Sequence, residues 1–274
     1  MNDSGAPFPY RLIATDLDGT LLRSDHLTVS ERSRSALAAA TAAGAAHIVV
    51  TGRSAASTQP VLEALGYQGL AVCGQGGQVY DAGAGRLLTS VTLDRRSAAA
   101  ALEKIEAEVG EVFVAATRDG LHGTFLAGPG YSYYPGQRVR TFTDRAEVWA
   151  EPLGKVFLQH PVLSDDELTA AARAVVGALV DVVMAGPGMV ELLPPGLTKA
   201  TGLSLAARRL GVRAAGTIAF GDMPNDIPML RWAGHGVAMD GAHPELLAVA
   251  DEVTAGNDED GVALVLEKLL ANRA

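Results

Sequence analysis

The chain has 274 residues, enough for one large domain or two of ordinary size, and its 48% hydrophobic and 19% charged residues supply an ample core. Acids outnumber bases 31 to 22, a formal charge of -9, which argues against a nucleic-acid or anionic-membrane surface because phosphate backbones recruit Lys and Arg. A small anionic substrate stays compatible, since a bound cation reverses the local sign. Cys73 is the single cysteine; it excludes an internal disulfide, suits a reducing compartment, and reads as core filler in an apolar run. No stretch approaches the ~20 apolar residues that span a bilayer. Met1 to Tyr10 is polar and Pro-rich rather than leader-like, so the sequence predicts a cytoplasmic protein with no membrane partner.

Strand and helix signals alternate from the start. The apolar run Ile13-Ala14-Thr15 drives into Asp16-Leu17-Asp18-Gly19-Thr20, the pattern of a buried parallel strand ending at a site. Ser30 is a candidate N-cap for an Ala-rich helix that runs to about Ala43 and stops at Gly44. His47 to Thr51 predicts a second strand ending at Gly52-Arg53, Ser54 to Leu65 a helix, and Leu70 to Cys73 a third strand. That β-α-β-α-β order implies a parallel sheet with right-handed crossovers. The same grammar returns late in the chain: a helix from Lys199 to Leu210, a strand Gly216 to Phe220 ending at Gly221-Asp222, a short helix Pro228 to Ala233, a strand Gly236 to Met239, and a last helix Gly261 to Ala271.

The middle has a different texture. A helix at Arg96 to Val109, alternating stretches at Glu111 to Ala116 and Leu121 to Leu126, a strand Lys155 to His160, a helix Asp165 to Ala178 and a strand Val180 to Met184 make an α+β module. It interrupts the parallel sheet, so the division expected is a core of residues 1–84 and 187–274 with an inserted domain of 85–186. Gly-rich joints at Asp81 to Gly85 and Gly186-Pro187-Gly188 are the expected hinges. The fold class expected is α/β, a Rossmann-like parallel-sheet core with an α+β insertion.

Strand ends carrying Asp16, Thr51 and Asp222 converge at the carboxyl edge of such a sheet, where ligands bind. Two carboxylates two residues apart on a strand face one side and repel, which is tolerable beside a cation or with one proton held. Asp16 offers a carboxylate nucleophile, and Asp18 a general acid for a leaving group and then a base for water. Thr51 with Gly52 offers a hydroxyl and unhindered N–H groups to phosphate oxygens. Lys199 opens a helix, where its ammonium and the helix dipole favour an anion. Asp222 and Asp226, with Asn225 between, can hold Mg²⁺ through oxygen ligands. Each signal alone has an ordinary alternative: a turn at Asp18-Gly19, a helix start at Thr51, a solvated lysine at 199, a capping turn at 222–226.

Their order gives the chain its resemblance. Asp16-Leu17-Asp18-Gly19-Thr20, Thr51-Gly52-Arg53, Lys199 and Gly221-Asp222-Met223-Pro224-Asn225-Asp226 are similar to the four motifs of the haloacid dehalogenase (HAD) superfamily, and specifically of Cof-type phosphatases with a large α+β cap. The stretch Asn257 to Val262 is similar to another that these proteins carry. The resemblance implies Asp16 as nucleophile and Mg²⁺ ligand, and Asp18 as metal ligand through its carbonyl and acid/base through its side chain. It implies Asp222 as the third metal ligand and Asp226 as the group orienting metal-bound water. Thr51, Gly52, Arg53, Lys199 and Asn225 would hold the phosphoryl group. Two departures stand out: Gly74-Gln75-Gly76-Gly77 where the family usually has Asn-Gly-Ala, and Asp240-Gly241 where it often has Gly-Asn.

The function expected is a Mg²⁺-dependent phosphatase acting on a small phosphorylated metabolite, such as a sugar phosphate, through an aspartyl-phosphate. A phosphomutase could use the same set, and a metabolite-binding protein could retain it without turnover. A dehalogenase lacks the second aspartate, and a nicotinamide-binding protein would carry a glycine fingerprint in place of Asp-x-Asp. Specificity would fall to the inserted domain, where Arg118, His122, Lys155, Tyr131, Tyr133 and Tyr134 are candidates beside ordinary packing roles. The histidines have no metal-ligand spacing, and the sequence carries no sign of oligomeric state.

Overall fold

A computed structural model describes residues 8–133 and 138–272. From the N-terminus, β1 (Leu12–Thr15), α1 (Glu31–Ala42), β2 (Ala46–Val50), α2 (Ala55–Ala64) and β3 (Leu70–Cys73) alternate as the sequence predicts. A hairpin of β4 (Gln78–Asp81) and β5 (Arg86–Ser90) follows. The insertion holds α3 (Arg95–Val109), β6 (Phe113–Arg118), β7 (Phe125–Ala127), β8 (Val139–Thr141), α4 (Ala146–Trp149), β9 (Leu153–Gln159), α5 (Asp165–Val176), β10 (Asp181–Met184) and β11 (Val190–Leu193). The chain returns through α6 (Lys199–Arg209), β12 (Thr217–Gly221), α7 (Ile227–Trp232), β13 (His235–Ala238), α8 (Pro244–Leu247), β14 (Glu252–Val253) and α9 (Gly261–Ala271).

The first sheet has the order β14-β13-β12-β1-β2-β3-β4-β5. Its pairs are parallel from β14 through β3 and antiparallel at the β4–β5 edge. The central strands are mostly apolar on both faces, because both are covered. Ile13, Val49 and Phe220 meet α1 and α9 residues such as Leu37, Ala40 and Leu266 on one face. Leu12, Ala14, Ile48 and Val50 meet α6 and α7 residues such as Leu203, Ala206 and Met229 on the other. Caps set the helix starts: Ser30 and Ser54 accept from the backbone N–H of Ser33 and Ser57.

The second sheet, β10-β11-β9-β6-β7-β8, is antiparallel except for its β7–β8 pair. Period-two alternation splits its residues between two faces. Val114, Ala116, Val156, Leu158, Val182 and Leu192 pack on α3 and α5. Lys155 and Glu191 lie on the other face and reach residues of the first sheet's loops.

The strand pairing corrects the expected hinges. Ala82 to Gly85 is the turn joining the paired strands β4 and β5, and Ala185 to Met189 the turn joining β10 and β11. A glycine cluster signals a turn but says nothing about whether its flanking strands pair with each other. The passages between sheets fall instead after Ser90 and after Leu193, so β5 lies in the first sheet and β11 in the second. Those seams lie six or seven residues beyond the boundaries read at 84/85 and 186/187. The expected strand over Leu121 to Leu126 is mostly turn, with only its end in β7. No helix among the described residues is long and apolar enough to cross a membrane.

Candidate active site

β1 and β12 run side by side, and the chain beyond each carries the acids: Asp16 after Thr15 and Asp222 after Gly221. The Asp16 backbone N–H donates to the Phe220 carbonyl (3.1 Å), extending the pairing to the site itself. Lys199, the first residue of α6 and only 1% exposed, spans two carboxylates, with Nζ 2.8 Å from Asp16 Oδ1 and 2.6 Å from Asp226 Oδ1. Asp226 Oδ2 accepts the backbone N–H groups of Asp222 and Met223, each at 3.1 Å. Thr20 donates to Asp222 Oδ1 (3.0 Å). Gly19 adopts φ +73°, and a Cβ there would collide with the Asp222 carboxylate, so this position demands glycine.

Asp16, Asp222 and Asp226 each present an oxygen within 4.8 Å of the others. Burial pushes Asp16 well above the ordinary carboxylate range; Lys199 opposes the shift, while Asp226, Asp222 and Asp18 add to it. Burial and then Asp226 raise Asp222 to about 7. Lys199 keeps its charge, because Asp16 and Asp226 outweigh the burial that would strip it. Three clustered carboxylates served by one ammonium carry surplus negative charge, and their oxygen-only donor set suits a hard dication.

Asp18 has a different setting. Arg53 grips it with two N–H groups, Nε at 2.8 Å and a terminal nitrogen at 2.5 Å, and the His26 Nδ1 lies 2.9 Å away. Burial would raise its pKa, but the Arg53 hydrogen bonds and charge, joined by His26, bring it below the usual value. Sequence reasoning missed His26, which sits in the left-handed region (φ 58°) and whose carbonyl also accepts from Arg53 (3.0 Å). The Asn257 to Val262 stretch ties down the loop that carries Asp18: Asn257 donates to the Leu22 carbonyl (2.8 Å), and the Ser24 N–H and hydroxyl donate to Asp258.

Thr51 is fully buried, and its hydroxyl accepts the Arg53 N–H (3.1 Å). The Gly52 carbonyl accepts from Lys155 (2.8 Å), and Asn225 Nδ2 donates to Gln75 Oε1 (3.1 Å). Asp16, Lys199, Asp222 and Asp226 thus form one cluster, and Arg53 is spent on Asp18. Glu191 is a further polar residue at this seam that sequence reasoning left out, and Gln75 entered it only as part of a departure from the family pattern. The signal that could have found Glu191 is a charge inside the apolar run of β11.

The other candidates of the insertion separate. Arg118 is buried and donates to the carbonyls of Glu147, Val148 (2.8 Å) and Glu151 (2.9 Å), a structural role closing the end of α4. His122 is exposed in the turn before β7. Tyr131 is buried, tilted against Phe125 with ring centroids 6.1 Å apart, while Tyr133 is exposed. Tyr134 lies outside the described residues. Lys155 alone reaches the loop that carries Thr51. Cys73 is buried, and burial lifts its thiol to about 12, which suits the packing role read from the sequence.

Comparison with known proteins agrees with this arrangement. The sequence profile described as haloacid dehalogenase-like hydrolase matches residues 13–266. The chain is 30% identical over 254 residues to an HMP-PP phosphatase of Serratia proteamaculans, covering 89% of each chain. It is 30% identical over 286 residues to the phosphatase YwpJ of Bacillus subtilis, covering 95% of this chain and all of that one. A solved haloacid dehalogenase-like hydrolase from B. subtilis shares the fold at TM-score 0.80 and 24% identity, over 94% of this chain and 99% of that one. With its parallel core, its inserted α+β sheet and a match along nearly its whole length, the chain belongs to the haloacid dehalogenase-like hydrolases and is one that acts on phosphate esters.

Proposed function

We propose that the chain is a Mg²⁺-dependent phosphomonoesterase working through an aspartyl-phosphate on Asp16, with the inserted domain as its cap. The observation that carries this reading is the buried Asp16–Lys199–Asp226 cluster at the mouth of β1 and β12. A Mg²⁺ held by Asp16, the Asp18 carbonyl and Asp222 would supply charge neutralisation at the phosphoryl group. Lys199 adds a fixed positive charge beside Asp16. Thr51, Gly52 and Asn225 offer donors to the equatorial oxygens, whose placement dominates the barrier of phosphoryl transfer.

In the first half, an Asp16 carboxylate oxygen bonds to phosphorus, the ester P–O bond breaks, and the leaving oxygen takes a proton from Asp18. In the second half, Asp18 takes a proton from water as its oxygen bonds to phosphorus. The Asp16–phosphorus bond then breaks and inorganic phosphate leaves. Asp18 held by Arg53 is a carboxylate, suited to the base step; the acid step requires that grip to yield when the leaving group arrives. Asp226 is fully engaged by Lys199 and two backbone N–H groups, which fits a supporting role better than a direct one.

A cavity of about 210 Å³ beside Lys199 and Asn225 is lined by Val183 and Leu193 of the inserted sheet and by loop and helix residues such as Gln75, Thr198 and Pro224. The substrate we propose is a small phosphorylated metabolite, a sugar phosphate foremost, and HMP-PP joins the test because a relative is named for it. The lone buried thiol fits the cytoplasmic setting we assign. A panel of phosphate esters with and without Mg²⁺ tests the reading: it predicts released inorganic phosphate that vanishes with Asp16→Asn. Isomerised sugar phosphate would mark a phosphomutase, and saturable binding without turnover a binding protein.

A further inference from the structure

Gln75 belongs to none of the four motifs, yet it is 1% exposed and bridges the two sheets beside the site. It follows β3 with φ 59°, a left-handed conformation uncommon outside glycine. Its Nε2 donates to Glu191 Oε2 on β11 (2.8 Å), and its Oε1 accepts from Asn225 Nδ2 (3.1 Å). The other Glu191 oxygen accepts from Lys155 on β9, which also donates to the Gly52 carbonyl (2.8 Å). Gly52 makes room for this bridge, because a Cβ there would stand 2.7 Å from Gln75 Nε2.

The chain of hydrogen bonds has one direction. An ammonium only donates and a carboxylate only accepts, so Glu191, paired with Lys155, requires the NH₂ end of Gln75. Gln75 then has only its carbonyl to offer Asn225, and Asn225 must answer with its own NH₂. The consequence is visible at the far end: Asn225 Oδ1 is among the few buried polar side-chain atoms without a partner in the described structure. An unrestrained amide would not keep an orphaned acceptor. The Asn225 NH₂ has a second hydrogen beyond the one given to Gln75, available to an anionic oxygen. A reversed amide would turn lone pairs toward that anion.

We propose that Gln75 is a positioning residue that transmits the docked state of the inserted sheet, through Glu191 and Lys155, to the amide of Asn225, so that an N–H meets the phosphoryl group. This rests on the reading of Asn225 as a phosphate ligand. Inorganic phosphate, as a competitive inhibitor of aryl phosphate hydrolysis, probes that grip directly. Asn225→Ala is expected to raise the phosphate Ki about tenfold, and Gln75→Leu about five- to tenfold with a parallel rise in KM and a smaller fall in kcat. Gln75→Glu sets two carboxylates against each other and is expected to lose more. Adding Glu191→Gln to it restores the direction, the new amide donating to the new carboxylate, and should bring Ki back to within about twofold of the parent.

An unchanged Ki in Asn225→Ala overturns the phosphate-ligand reading and this inference with it. A raised Ki in Asn225→Ala with an unchanged Ki in Gln75→Leu overturns the inference alone. Should Gln75→Leu fail to fold, the double variant decides, and equal losses in Gln75→Glu and in the pair refute the directional relay.

Discussion

Replacing Lys199 by methionine keeps a long unbranched side chain, one atom shorter, and removes its charge. Lys199 is 1% exposed and lies 2.8 Å and 2.6 Å from Asp16 and Asp226, so no water can take its place without rearrangement. Removing one member of a buried ionic group leaves the others uncompensated, at a cost of about 3–5 kcal/mol. At about 2–4 °C per kcal/mol for a chain of this size, the melting temperature should fall by about 6–20 °C in divalent-free buffer at pH 7.5. At pH 5 the deficit should shrink. Asp16 is raised well above its ordinary value and Asp222 to about 7, so both accept protons more readily than exposed acids and shed the repulsion. Calorimetry at the two pH values reads this directly, and turnover should fall about 10²–10³-fold with loss of a donor to the developing charge. A variant that melts within 2 °C of the parent at pH 7.5 without divalent ions, by the same scale, would refute the view that Lys199 neutralises the cluster.

Asp222, raised from 3.8 to about 7 by burial and Asp226, binds a proton in the folded state that the unfolded chain has lost across that window. Asp222's contribution to the stability of the metal-free protein therefore falls as pH rises from 3.8 toward about 7, and Mg²⁺ should raise the melting temperature more at pH 8 than at pH 5; equal shifts would contradict this. Asp18→Asn should lower kcat about 10²–10⁴-fold and leave the phosphate Ki nearly unchanged, since it removes a proton carrier and not a phosphate donor. Arg118→Met strips three backbone carbonyls of their donor and should lower the melting temperature while KM for aryl phosphate stays put; a raised KM would return Arg118 to the substrate. Cys73, with its thiol lifted to about 12, should react with a thiol reagent only after unfolding.

The legible parts of the fold are those whose signals are local. β3 and α9 have the bounds read from their residues, because an apolar run between turns and a glycine-started apolar helix carry their own limits. α1 and α2 begin one residue after the serines read at their starts, since those hydroxyls close the first turn. β11 was invisible for the opposite reason. Its Glu191 breaks an apolar strand and is satisfied by Lys155 and Gln75, which stand 36 and 116 residues away in the chain. β5, half-exposed at a sheet edge, has no buried face to impose a pattern.

The site divides along the same line. Asp16, Thr51 and Asp222 follow strand ends, Lys199 and Asp226 stand at helix starts, and the order of such ends in an α/β chain determines what meets at the sheet's carboxyl edge. What the order cannot supply is the second partner of each group. Arg53 reads as a phosphate-binding cation because it follows Thr51-Gly52, but the loop holding Asp18 and His26 curls close enough to claim it. Lys155 reads as a candidate for substrate contact, but the inserted sheet turns it toward the Gly52 carbonyl and Glu191. In both cases a charge that the sequence offers to substrate is already paired, Arg53 with Asp18 and Lys155 with Glu191. Under the proposed mechanism, Arg53 has to exchange its partner for Asp18 to deliver a proton. Under the proposed relay, the Lys155–Glu191–Gln75 chain has to stay closed for Asn225 to keep its direction. The two demands fall on neighbouring residues, Gly52 and Arg53, of one loop, which is where the proposed proton transfer and phosphate grip would come into mechanical contact.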